Sequence, residues 1–155
     1  MDELKAKLIL NNFDGTMNKI NINPKSINSK IDFEIKYYNE DAILTNALIT
    51  FTEVIAVDFQ VNYFNNCTNS DLWGLYEIFD DNSKIEMIEK IFNSRLNGYL
   101  STGDYNYSPD NENDTLNYRE SINKTIKQIN KYKLYQQNTE GGIYYILALG
   151  YEICV

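Results

Sequence analysis

Ile31-Asp32-Phe33-Glu34-Ile35-Lys36-Tyr37 decides the fold class. Every second residue is apolar and every intervening one is charged, the two-residue period of a strand with one buried and one wet face. A helix would split those four apolar side chains between opposite sides. Outward from this stretch the same signal recurs. Residues 5–11 and 17–22 alternate around the turn Phe13-Asp14-Gly15, and Asn39-Glu40-Asp41 turns the chain after Tyr37. Residues 42–64 are rich in β-branched and aromatic side chains but long for one strand, so the reading breaks them near Thr52-Glu53 into 43–51 and 54–64. A loop at 65–70 leads to a strand over 73–79.

One helix is signed clearly. Ser83-Lys84-Ile85-Glu86 has the form of a capping box, Ile85, Ile88, Phe92 and Leu96 recur at helical spacing, and Gly98 offers a stop. The expected helix runs over 83–97. Residues 101–118 carry Asp104, Asp110, Glu112 and Asp114 with no basic residue, and read as a mobile acidic loop. A short helix is expected within 119–133, where Ile122, Ile126 and Ile129 lie among five basic residues. The chain then forms a hairpin, 131–137 with 142–155, closed through Gly141-Gly142. The sum is one α+β domain over 1–155: a strand-dominated, mainly antiparallel sheet with one main helix packed on it.

Composition sets the limits on function. With 43% apolar and 23% charged residues, 7 Gly and 2 Pro, the chain is neither collagen-like nor wholly disordered. It contains no histidine, which removes Ser-His-Asp and Cys-His catalysis, His-ligated zinc and the usual proton switch near neutral pH. The opening MDELKAKLIL lacks the basic start and apolar stretch of a secretory signal, and no window approaches a membrane span. Two cysteines, Cys67 and Cys154, read as reduced thiols, and three Asn-x-Thr triplets as accidents of an Asn-rich chain. A cytoplasmic protein is expected, and the wealth of Asn, Ile, Lys and Tyr suggests a low-GC bacterium or its phage.

Charge placement is the sharpest clue. Between Lys36 and Lys84 there is no Lys or Arg, while Glu40, Asp41, Glu53, Asp58, Asp71, Glu77, Asp80 and Asp81 supply the whole net charge of −8. Trp73, Tyr76 and Phe79 lie in the same window. Acids set among Tyr and Trp compose a docking surface for a basic protein, with charge steering encounter and rings supplying affinity. The expected contact set is Asp71, Trp73, Tyr76, Glu77, Asp80 and Asp81. Such a surface repels nucleic acid. The bland alternative is a solvated face that keeps the protein soluble. No cofactor or metal is expected: the run from Asp104 has Pro109 where a calcium loop needs Gly, and no phosphate-binding or nucleophile motif is present. Catalysis remains conceivable through carboxylates alone, with Glu53, Asp58, Glu77 and Asp80 as candidates in a hydrolase or sugar-binding β domain. A phage inhibitor whose acids mimic DNA phosphates is a further alternative.

Asn12-Phe13-Asp14-Gly15, the strands through 22 and 31–37, the strand 47–57 and the element Phe51-Thr52-Glu53-Val54 together resemble small bacterial immunity-type domains of polymorphic-toxin systems, with Asn12-Phe13 standing where that group has Leu-His. The resemblance covers about the first 65 residues. It implies a non-enzymatic cytoplasmic protein that neutralises a toxin by binding it, and it carries over no catalytic residue.

Overall fold

The computed structural model describes residues 5–23, 28–61, 71–102 and 112–155. Seven strands form one antiparallel sheet: β1 (Ala6–Leu10), β2 (Thr16–Asn23), β3 (Lys30–Tyr38), β4 (Leu44–Val61), β5 (Leu72–Ile78), β6 (Lys133–Thr139) and β7 (Gly142–Cys154). Two helices, α1 (Asp81–Thr102) and α2 (Glu112–Lys127), and a 3-10 turn, Ile129–Lys131, lie between β5 and β6. The expected strand-dominated, antiparallel α+β class is the observed one. The chain divides into two compact units, one of residues 1–80 with 132–155, the other of 81–131.

The sheet order is β1-β5-β6-β7-β4-β3-β2, so its two edge strands are consecutive in sequence. Six interstrand gaps of ~4.8 Å would hold the edges of a flat sheet ~29 Å apart. The six peptide steps from Leu10 to Thr16 reach at most ~22 Å. The sheet therefore curls, and backbone bonds tie its ends together: Asp14 N–H donates to the Leu72 carbonyl at 3.1 Å, Leu72 N–H to the Gly15 carbonyl at 2.9 Å, and Thr16 bridges Asp71. Gly15 is required here. A Cβ on it would sit 2.6 Å from the Lys36 carbonyl oxygen and 2.8 Å from the Tyr37 Cβ.

Curling encloses one face. Residues directly opposite in neighbouring strands share a face, and the registers place Ile31, Phe33, Ile35, Ile49, Phe51, Tyr135, Tyr144 and Ile146 together in the core. Phe33 meets Phe51 and Tyr144 edge-on, with centroids 5.2 and 5.6 Å apart, and Tyr135 lies 5.2 Å from Phe51. The Tyr135 hydroxyl is buried with no hydrogen-bond partner among the described residues. Burial, then the Glu77 charge, then Tyr151 push its pKa well above the ordinary 10.0. That orphan hydroxyl bears on stability in two ways. Tyr135→Phe removes an unsatisfied polar group and is expected to raise stability by about 1 kcal/mol in urea titrations at neutral pH. Because burial holds the native proton more tightly than the unfolded chain does, stability is unaffected by this titration below pH 10 and falls as pH rises past it. The Phe variant should lose less stability between pH 10 and 11.

Several boundaries differ from the sequence reading. The proposed break at Thr52-Glu53 is a bend inside a single 18-residue strand, β4, in which Glu53 takes φ 48° and the register with β7 shifts between Val54 and Ala56. A bulge turns the strand without ending it, so β4 pairs β3 with its first half and β7 along most of its length. The helix expected over 83–97 starts at Asp81, with Asp80 in the cap position, and continues past Gly98 to Thr102. The acidic loop expected over 101–118 is corrected at both ends: 101–102 finish α1, and 112–118 form the first half of α2, while 103–111 lie outside the described residues. The short helix sought within 119–133 is thus longer and begins earlier. The loop at 65–70, Cys67 and the calcium-like run from Asp104 to Pro109 also lie outside the described residues.

In the helical unit Met87, Ile88 and Phe92 of α1 and Ile122 of α2 are buried at helical spacing. Arg119 clamps both Glu89 oxygens at 2.6 and 2.7 Å, with its guanidinium 5.2 Å from the Phe92 ring centre. That clamp holds the Glu89 carboxyl below its ordinary range. No described helix is long and apolar enough to cross a membrane.

Candidate protein-binding surface

Trp73 and Tyr76 are three apart, a spacing that puts two side chains on opposite faces of a regular strand. Gly74 changes this. It takes φ 95°, and between Leu72 and Leu75 the register with β6 shifts by one residue, so a bulge adds an extra residue and restores both rings to one side. A glycine is needed on two counts: the backbone is in the left-handed region, and a Cβ would lie 2.9 Å from Tyr76 Cε2, 3.0 Å from Leu8 Cδ1 and 3.1 Å from Phe13 Cε2. Those three side chains therefore converge over the bulge. Leu8 is 42% and Phe13 43% exposed, and Trp73, on the same side of β5 as Tyr76, is 47% exposed.

The bulge is braced from beneath by amides. Asn12 and Gln137 are both fully buried. Asn12 Nδ2 donates to Gln137 Oε1 at 2.8 Å, and Gly74 N–H donates to Asn12 Oδ1 at 3.0 Å. Gln137 Nε2 donates to the carbonyls of Gly74 at 3.1 Å and Asn138 at 2.9 Å. One pair of side chains thus joins the β1–β2 turn, the β5 bulge and β6.

Acids lie next to these side chains. The bonds that close the sheet hold Asp14 beside Leu72, and Glu140 N–H donates to the Asp71 carbonyl at 2.9 Å. Asp14, Asp71 and Glu140, from three distant segments, are exposed together beside Phe13 and Trp73.

Of the six residues singled out in the sequence, Asp71, Trp73 and Tyr76 belong to this surface. Glu77 does not. Strand alternation sends it to the face of its cross-strand neighbour Tyr135, where Lys133 Nζ lies 3.5 Å from its carboxylate. Asp80 is half-buried after β5 and has an interaction of its own. Asp81 opens α1 in the other unit and pairs with Lys84 at 2.7 Å. Leu8, Phe13, Asp14 and Glu140 escape the sequence reading. A glycine inside a strand pattern is the one signal in the chain that the Trp73–Tyr76 spacing spans a bulge.

Among the described residues no three Cys, Asp or Glu side chains converge as a metal site would require. Comparison with family models, curated proteins and solved structures found no match.

Proposed function

We propose that the chain is a non-enzymatic cytoplasmic binding protein, an immunity protein or inhibitor that neutralises a basic protein such as a nuclease-like toxin. The observation that carries this reading is the set of exposed Leu8, Phe13 and Trp73 around half-buried Tyr76, flanked by Asp14, Asp71 and Glu140. Protein interfaces pair a few aromatic anchors with a charged rim, and an acidic rim selects a basic partner. The cytoplasmic placement rests on the sequence and on Cys154, an exposed free thiol of the kind a reducing compartment preserves.

The test is a pull-down from the source organism with the tagged native protein and a Phe13→Ala/Trp73→Ala variant, each shown folded by circular dichroism. A stoichiometric basic protein should be captured by the native bait at low salt, released at high salt and lost with the variant. Its activity should fall when the native protein is added. Capture that is unchanged by the double substitution, or no capture by folded bait, overturns the reading.

A further inference from the structure

A bulge adds a residue to a strand and takes that residue's backbone groups out of the ladder. Between Leu72 and Leu75 β5 has one residue more than β6 opposite, and both polar backbone groups of Gly74 go to side chains instead. Its N–H donates to Asn12 Oδ1 at 3.0 Å, and its carbonyl accepts from Gln137 Nε2 at 3.1 Å. Neither amide has any exposed surface, and Asn12 Nδ2 donates to Gln137 Oε1 at 2.8 Å. Asn12 acts through its backbone as well. Its carbonyl accepts the Gly15 N–H at 3.1 Å and so closes the turn that carries Phe13 and Asp14.

Apolar burial alone does not fix this geometry. Leu72 and Leu75 are both fully buried and favour a bulge that puts them on one face, but contacts of that kind have no direction. Hydrogen bonds do, and here they hold Gly74 at φ 95° with Trp73 and Tyr76 on the same side. A regular β5 would need neither buried amide, because the ladder would take the backbone groups that Asn12 and Gln137 now take. The two amides therefore go with the bulge, and the bulge goes with the placement of the rings.

We infer that Asn12 and Gln137 are positioning residues for the docking surface: through Gly74 and the Asn12–Gly15 turn they hold Trp73, Tyr76 and Phe13 in one arrangement before a partner arrives. The inference rests on the proposed function and adds that its surface is preformed, so binding loses little to ordering it. Buried polar networks that are fully satisfied rigidify the segment they hold and select a single conformation for it. Neither residue touches the partner. Each acts through the backbone of the segment that carries a ring.

Two NMR measurements on the full chain without a partner test it. In the native protein the Gly74 amide should exchange with solvent only through global unfolding, with a protection factor of about 10³ or more. Gln137→Met keeps most of the side-chain bulk but removes the bonds to Gly74 and Asn12. Ile49→Ala, which destabilises through a cavity on β4, is the control. Backbone order parameters at 73 and 74 should fall from about 0.85 to below about 0.6 in Gln137→Met and stay near native in Ile49→Ala. A merely structural role would loosen both variants alike. Affinity for the captured partner should fall about tenfold or more in Gln137→Met and less than about threefold in Ile49→Ala. The exchange measurement needs no variant, so it decides even where Gln137→Met fails to fold. Rapid Gly74 exchange in the native protein, rigid 73–74 backbone in Gln137→Met, or equal loosening in the control overturns the inference. Failure of the folded native bait to capture a partner counts against the proposed function instead, and the two failures are told apart because exchange and relaxation are read without a partner.

Discussion

Gln137→Ala is expected to destabilise the protein by about 3 kcal/mol or more, out of the ~5–15 kcal/mol that holds a domain together. The side chain has no exposed surface and takes part in bonds to Asn12, Gly74 and Asn138. Its removal leaves the Asn12 Nδ2 and the Gly74 carbonyl buried without partners, at about 1–3 kcal/mol for each group, and opens a void in a closed interior. Asn12→Ala should be similarly severe, because it leaves the buried Gln137 Oε1 and the Gly74 N–H without partners together. The double variant is then informative. Once both amides are gone neither is left unsatisfied, so the double loss should fall short of the sum by about 1–2 kcal/mol. Urea denaturation of the four proteins measures this, and additivity within about 0.5 kcal/mol would show that the two amides do not act as a pair. The same variants should loosen the bulge at Gly74 and with it the presentation of Trp73.

The amide pair also shows where reading from sequence stops. Residues 31–37 announce their strand because each side chain meets its environment alone: apolar in, charged out, residue by residue. The bend at Glu53 reads as a break, since a bulge and a turn both interrupt alternation, and only pairing with β7 across it distinguishes them. Residues 112–118 read as loop because acids and asparagines there offer no apolar stripe, and a helix in that place takes its support from the second half of α2. Trp73, Tyr76 and Asp71 are legible from local composition. Phe13, Asp14 and Glu140 are not, because they join the surface only when the sheet curls and its ends bond, which depends on strand order. Proximity along the chain puts Glu77 with the aromatic surface, but strand alternation around the bulge sends it to the other face.

That same curl predicts how binding should divide between the charges and the rings. With the basic partner in hand, Asp14→Asn/Asp71→Asn/Glu140→Gln is expected to slow association about 10- to 100-fold at low salt while leaving dissociation nearly unchanged, since exposed rim charges act on encounter. The salt dependence of the association rate should flatten correspondingly. Trp73→Ala should do the opposite, raising the dissociation rate about 30-fold or more, the kinetic equivalent of ~2 kcal/mol lost from an aromatic anchor. Phe13→Ala adds to this only if the two rings bury independently. Because Phe13 meets Leu8 and Tyr76 over Gly74, a shortfall from additivity is expected for Phe13→Ala with Tyr76→Ala. Trp73 is 47% exposed in the free protein, so its loss should leave the thermal midpoint within a few degrees of the native value. Stopped-flow association and surface-based dissociation read the two rates separately. An unchanged dissociation rate in folded Trp73→Ala would move the anchor elsewhere on the sheet, whereas loss of salt dependence in the acid triple variant would locate the electrostatic steering at the end of the sheet where 14, 71 and 140 meet.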